Sequence, residues 1–171
     1  MTEGCNAIAT TCGFLALIRP RLTEALGVPV AASALEQAAQ IHALLPPGRT
    51  LGILTISARS LTPEHLRVAG VRPDAPIQGI EESDFAKAIL GNARTFDIAR
   101  ARDDMVKAAK HFVEVHPHIG AIILECTNMV PYAADVAKAI RRPVFSIYTY
   151  VRWFHAALHP HVFLGGINQQ R

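Results

Sequence analysis

Two continuous apolar runs constrain the fold of this chain most strongly. Residues 50–57 (TLGILTIS) and 119–125 (IGAIILE) are apolar at successive positions rather than at every second position. A strand that is apolar on both faces is typical of a parallel sheet, because helices cover such a sheet on both sides. Helical segments lie between the runs, and alternating strands and helices favour the same architecture. The sequence therefore predicts an α/β fold with parallel sheets covered by helices.

Shorter segments continue this alternation. The spacing of Ser33 and Glu36 is that of a capping box, and Thr62 precedes a proline at the first position of a helix. Residues 5–10 are predicted to be a short buried strand, which would be central in a complete lobe. The further predicted strands are 28–31, 77–80 and 143–147, and the predicted helices are 14–26, 34–45, 63–69, 83–90, 97–115, 131–141 and 150–158.

Composition excludes several classes of protein. Half of the residues (50%) are hydrophobic and 18% are charged, which is not the composition of a disordered chain. The formal charge is only +3 and the charged residues are interleaved, so no nucleic-acid partner is expected. No apolar run approaches the roughly 18 residues that a membrane span needs, so no membrane partner is expected either.

The cysteine count indicates the compartment. The chain has three cysteines, without a CxxC pair. An odd number without paired spacing disfavours both a disulfide framework and a structural zinc site. The N-terminus lacks a basic stretch followed by an apolar run, as a signal peptide would have. The sequence thus predicts a cytoplasmic protein in a reducing environment.

Two of the cysteines occupy equivalent positions. Cys12 and Cys126 each follow a predicted strand and open a turn into a helix. In parallel sheets the carboxyl ends of the strands form the ligand-binding edge. The helix N-terminus is expected to lower the pKa of each thiol, and nearby N–H groups and Thr hydroxyls suit a carboxylate. Both cysteines are therefore interpreted as functional, whereas Cys5, without polar neighbours, is interpreted as a packing residue.

These two segments resemble a known family. Residues 10–14 (TTCGF) and 125–129 (ECTNM), the latter followed by 131–134 (PYAA), resemble the two cysteine motifs of the cofactor-independent aspartate/glutamate/hydantoin racemase superfamily. Residues 28–30 (VPV) and 142–145 (RPVF) support the resemblance. It implies two flavodoxin-like lobes related by a pseudo-twofold axis, with one cysteine from each lobe at an active site between them.

The resemblance also implies a reaction. It is racemisation or isomerisation at the α-carbon of an amino acid or related small carboxylate, with no metal and no organic cofactor. One thiolate removes the α-proton and the opposite thiol returns a proton to the other face. Thr and Asn at strand ends also cap helices, so capping stays open beside substrate binding. The implied catalytic residues are Cys12 and Cys126, and the implied substrate-binding residues are Thr11, Gly13, Thr127 and Asn128.

Two positions beside Cys126 depart from the family pattern. Many amino-acid racemases of this group carry His where this chain has Asn128, and Gly is common where it has Glu125. A carboxylate at Glu125 either raises the pKa of the adjacent thiol or faces away from the site. Relatives with one or both cysteines also catalyse decarboxylation or double-bond isomerisation. A one-cysteine decarboxylase or cis–trans isomerase is therefore the alternative within this superfamily.

The first cysteine motif lies close to the start of the sequence, whereas family members begin with a further strand and helix. We therefore expect residues 1–47 and 149–171 to form an incomplete first lobe and residues 48–148 a complete second lobe. The helix-stopping sequence at residues 46–48 (PPG) supports this boundary. The strand at 5–10 would then expose an edge, favouring a homo-oligomer. The remaining alternative is a truncated, non-catalytic remnant.

Overall fold

The computed structural model describes residues 4–162. Strands and helices alternate along this part of the chain. The strands are β1 (Ile8–Ala9), β2 (Val30–Ala31), β3 (Thr50–Thr55), β4 (Ile77–Gly79), β5 (Ile119–Leu124) and β6 (Val144–Phe145). The helices are α1 (Arg19–Leu26), α2 (Ala38–Leu44), α3 (Pro63–Val68), α4 (Asp84–Leu90), α5 (Ile98–Val115), α6 (Ala133–Ile140) and α7 (Ile147–Leu158). Short 3₁₀ segments precede three of the helices and comprise Gly13–Ile18, Ala34–Gln37 and Thr127–Tyr132.

The strands form two parallel sheets. One sheet pairs β1 with β2, and the other has the order β4-β3-β5-β6. Every strand pair in the described residues is parallel. Parallel neighbours require crossover connections, which the intervening helices supply. The predicted α/β fold with parallel sheets covered by helices is confirmed.

The four-stranded sheet is covered on both faces. Leu54, Ile122 and Leu124 pack into one hydrophobic cluster with residues of α4, α5 and α6. The alternate residues Ile53 and Ile123 point to the opposite face, because successive side chains of a strand point to opposite sides. That second cluster also contains residues from both sides of the PPG segment, namely Ala16, Leu35, Ile41, Leu51, Leu61, Val71 and Ile147. The division into lobes at residues 47 and 149 stays a prediction, and residues 163–171 lie outside the described part of the chain.

The first strand differs from its prediction. The predicted strand at 5–10 is reduced to β1, where Ile8 is half-buried and Ala9 is exposed. The reason is that β1 pairs only with β2 in the described residues, so its other edge has no strand beside it. Burial of a strand on both faces requires neighbours that carry covering helices. The expectation that this strand is buried is therefore wrong for β1, whereas a central position was expected only in a complete lobe.

Proline and capping residues account for most shifted helix boundaries. Pro20 has no N–H and lies in the first turn of α1, so the preceding residues form a 3₁₀ segment rather than α-helix. Pro131 likewise delays the start of α6. Helix α7 begins three residues earlier than predicted, because Ser146 and Thr149 form a capping box in which Thr replaces the usual Glu.

The longest helix of the described residues is α5, with 18 residues, and it is amphipathic rather than apolar throughout. Within residues 4–162, no helix has the combination of length and apolar character that crossing a membrane demands.

Candidate active site

Both candidate catalytic cysteines lie where a strand of a parallel sheet ends. Cys12 follows β1 and is the N-cap residue of the first 3₁₀ segment. Cys126 follows β5 and is the N-cap residue of the segment that leads into α6. The backbone N–H of Met129 donates to the carbonyl of Cys126, which closes this turn at 3.0 Å. Each thiol therefore stands at a strand–turn–helix junction, as the sequence predicts.

Direct contact joins the first cysteine turn (residues 11–14) to the second cysteine turn (residues 125–129). The hydroxyl of Thr127 donates a hydrogen bond to the backbone carbonyl of Thr11, although 116 positions separate them in the sequence. Cys12 is also close enough to act electrostatically on Cys126. The structure thus brings together two segments that lie far apart in the sequence.

The predicted substrate-binding residues differ in accessibility. Thr11 and Asn128 are exposed, Thr127 is partly buried, and Gly13 is buried. Cys12 is exposed and Cys126 is intermediate, so each retains some access to solvent. Cys5 is also exposed, which contradicts its interpretation as a packing residue. The polar groups of Thr11 and Asn128 are thus accessible to solvent, whereas Gly13 is not.

The pKa of the Cys126 thiol differs from its sequence-based expectation. A lowered value is expected at a helix N-terminus, but burial raises the pKa of Cys126, and the charges of Glu125 and Cys12 raise it further. Hydrogen bonds from the backbone and side chain of Asn128 oppose this effect, the side-chain nitrogen lying 3.8 Å from the sulfur. The balance favours the protonated thiol at Cys126.

Glu125 turns towards the site rather than away from it. It directly follows the buried strand β5, and only 1% of its surface is exposed. Its Oε2 accepts a hydrogen bond of 2.8 Å from the hydroxyl of Thr55, the last residue of β3. Burial raises the pKa of this carboxyl group, and the hydrogen bond from Thr55 offsets part of that effect. The site residues predicted from the sequence do not include Glu125. A carboxylate that directly follows a buried apolar strand is nevertheless visible in the sequence and could have indicated it.

The opposite carboxylate oxygen of Glu125 lies against the first cysteine turn. A Cβ atom added to Gly13 would stand 1.7 Å from Oε1 of Glu125. A side chain at residue 13 would therefore require the buried carboxyl group of Glu125 or the turn itself to move. The close approach of Glu125 favours glycine at this position, whether or not the backbone of Gly13 also contacts substrate.

Stability should depend on pH through Glu125. The raised pKa means that the folded chain binds this proton more tightly than the unfolded chain does. The resulting stabilisation is complete below the ordinary value of 4.5 and is lost as the pH rises through the raised value. Relative to Glu125→Gln, the parent should therefore lose unfolding free energy as the pH rises above the ordinary value of 4.5, as measured by chemical denaturation across a pH series. Glu114→Gln, at an exposed position of α5, is the control, and a pH-independent difference between parent and Glu125→Gln would contradict the expectation.

Solved structures share this fold. Allantoin racemase from Pseudomonas fluorescens aligns with a TM-score of 0.67 at 17% identity, covering 96% of this chain and 73% of that one. Glutamate racemase from Bacillus anthracis aligns with a TM-score of 0.57 at 16% identity, covering 90% and 58% of the two chains. At such identities the likeness concerns the fold alone.

The curated proteins that are similar in sequence are lyases, whereas the two solved structures above are racemases. A dimethylsulfoniopropionate lyase of Durusdinium sp. clade D is 28% identical over 149 residues, which cover 84% of this chain and 49% of that protein. Dimethylsulfoniopropionate lyase 5 of Emiliania huxleyi is 31% identical over 163 residues, covering 91% and 32%. The chain thus spans between about a third and a half of the length of these relatives.

The family assignment comes from the match to a whole-family model. The model of the Asp/Glu/hydantoin racemase family matches residues 1–150, which include both cysteine turns and the six strands described above for residues 4–162. The chain therefore belongs to the Asp/Glu/hydantoin racemase family.

Proposed function

We propose that this chain moves a proton at the carbon next to a carboxylate group, with Cys12 and Cys126 as its acid–base pair. The observation that carries the proposal is the hydrogen bond between Thr127 and Thr11, which holds the two cysteine turns together. The electrostatic effect of Cys12 on Cys126 supports the same arrangement. Two thiols beside one small ligand supply a base and an acid for the same carbon atom.

The surrounding groups suit a carboxylate ligand. The turns present the hydroxyl of Thr11, the amide of Asn128 and the backbone N–H groups that follow each cysteine. Fixed donors of this kind stabilise the negative charge that moves onto the carboxylate when the α-proton leaves. Thr127 donates its hydroxyl hydrogen to Thr11, so its oxygen is left to accept a hydrogen bond from a donor group of the ligand, such as the ammonium group of an amino acid. The expected substrate is an amino acid or a related small carboxylate.

Racemisation and elimination begin with the same step. In racemisation, one cysteine takes the α-proton and the other returns a proton to the opposite face. In β-elimination, the electron pair of the broken C–H bond forms a double bond and expels a group from the β-carbon. For dimethylsulfoniopropionate this would release dimethyl sulfide and leave acrylate. The names of the curated relatives favour elimination as the second candidate.

Proton exchange in D₂O tests the shared step and separates the two outcomes. The full chain is incubated with amino acids, substituted malonates and dimethylsulfoniopropionate, and ¹H NMR follows loss of the α-proton signal. Deuterium incorporation with inversion, detected by chiral chromatography, indicates a racemase. Release of dimethyl sulfide with acrylate indicates a lyase. If no substrate of the panel loses an α-proton, the proposal is wrong and the non-catalytic alternative gains.

A further inference from the structure

Glu125 occupies a position that the proposed pair of cysteines does not by itself explain. We propose that Glu125 is a positioning residue that fixes the two cysteine turns against each other and keeps Cys126 as the proton donor of the pair, with Cys12 as the base. This inference rests on the proposed function and assigns a direction to its first step.

Glu125 connects three parts of the fold, namely the end of β5, strand β3 and the first cysteine turn. Its backbone N–H donates to the carbonyl of Leu54 in β3 at 2.9 Å. One carboxylate oxygen accepts from Thr55 at 2.8 Å. The other lies where a side chain of Gly13 would begin. Because the carboxyl group of Glu125 is almost completely buried, it acts as a fixed spacer between the end of the four-stranded sheet and the first cysteine turn.

No cation compensates the charge of Glu125 in the described residues. The ion pairs of residues 4–162 involve other carboxylates, and the hydroxyl of Thr55 is the side chain that bonds to this one. The titratable groups that act on Cys126 are Glu125 on its own segment and Cys12 on the facing turn, and both disfavour a thiolate there. Burial is the largest cause that disfavours the thiolate of Cys126, and the hydrogen bonds from Asn128 oppose it. The charge of Glu125, on the adjacent residue, adds to the effect of burial and so helps to keep the resting proton on Cys126.

The bias determines how the proton moves. The Cys12 thiolate takes the α-proton, and the electron pair of the C–H bond stays on the carbon next to the carboxylate. The S–H bond of Cys126 then breaks, its proton forms a new C–H bond on the opposite face, and Cys126 is left as the thiolate. Exchange of protons with solvent restores the resting state, so no oxidant, reductant or co-reactant is consumed.

The decisive variant is Glu125→Gln, which keeps the shape of the side chain and its contact with Thr55 but removes the charge. Alkylation by iodoacetamide, followed thiol by thiol with peptide mass spectrometry across a pH series, gives the pH at which each cysteine ionises. The midpoint for Cys126 should fall by about one unit, so that its alkylation is about tenfold faster at a given pH below the midpoint. Cys5 is an internal control in the same sample, and Glu114→Gln is the control variant.

This measurement needs no substrate, so it separates failure of the inference from failure of the proposed function. An unchanged Cys126 midpoint in folded Glu125→Gln overturns the inference even if the chain is an active racemase or lyase. A lowered midpoint supports it even if no tested carboxylate reacts. A merely structural role would change the stability of the variant without moving the midpoint of one thiol.

A second measurement uses the parent protein, in case Glu125→Gln does not fold. With ¹³C-labelled glutamate side chains, the Glu125 carboxyl resonance should titrate above its ordinary value of 4.5. It should also show a second, smaller step at the pH at which Cys126 ionises, because coupled groups report each other's titration. A single step at the ordinary value would show that the carboxyl group is neither buried nor coupled to the thiol, and would overturn the inference.

Discussion

Serine in place of either Cys12 or Cys126 should reduce racemisation at the α-carbon by roughly 10²- to 10⁴-fold. A serine hydroxyl has the size of a thiol, but it is far too weak an acid or base near neutral pH. Each single variant should still exchange the α-proton of one enantiomer, because the other face keeps its thiol. The rates of α-deuterium exchange and of racemisation, measured on the same sample, separate these two effects.

Cys5→Ser is the matched control for this experiment. Cys5 is exposed, like Cys12, but lies ahead of β1 and outside the two cysteine turns. Its replacement should leave both rates unchanged. Parental racemisation rates in both Cys12→Ser and Cys126→Ser would refute the two-thiol mechanism. Loss of activity in only one of them would instead favour a one-cysteine decarboxylase, isomerase or lyase.

The four-stranded sheet could be predicted from the sequence, because the patterns that indicate its strands and helices are local. The apolar runs at 50–57 and 119–125 became β3 and β5, the two central strands. The buried residues of helix α5 recur at helical spacing. The side chain of Asp97 caps its first turn by accepting hydrogen bonds from the backbone N–H groups of Ala99 and Arg100. In these segments, burial, capping and chain direction all follow from residues close together in the sequence.

The contacts of the site could not be predicted, because they join residues far apart in the sequence. Thr127 and Thr11 are 116 positions apart, and Thr55 and Glu125 are 70 apart. A motif identifies Gly13 as part of the first cysteine turn, but nothing local indicates that a carboxylate will occupy the place of its side chain. The expected pKa of Cys126 was wrong for the same reason. The helix N-terminus is visible in the sequence, whereas burial and the orientation of Glu125 are not.

Alanine at Gly13 should destabilise the folded chain by about 2–3 kcal/mol, at the upper end of the cost of overpacking a buried site. Its methyl group would stand 1.7 Å from Oε1 of Glu125, so either the carboxyl group or the first cysteine turn must move. Movement of the turn displaces Cys12, and a shift of about 1 Å in a reacting group can cost roughly 10²-fold in rate. Chemical denaturation and α-proton exchange of Gly13→Ala measure the two effects.

Gly79→Ala provides a matched control, because a Cβ there would also meet a glutamate, at 2.0 Å from Oε2 of Glu81. Glu81 is only partly buried and can turn away, so this change should cost less than about 1 kcal/mol. Removing the obstructing carboxylate tests the cause directly. Glu125→Ala combined with Gly13→Ala should be less destabilised than the sum of the two single variants by at least about 1 kcal/mol, since the new methyl group enters the space that the carboxylate leaves. Strict additivity of the two changes would show that the carboxyl group of Glu125 does not press on the first cysteine turn in solution.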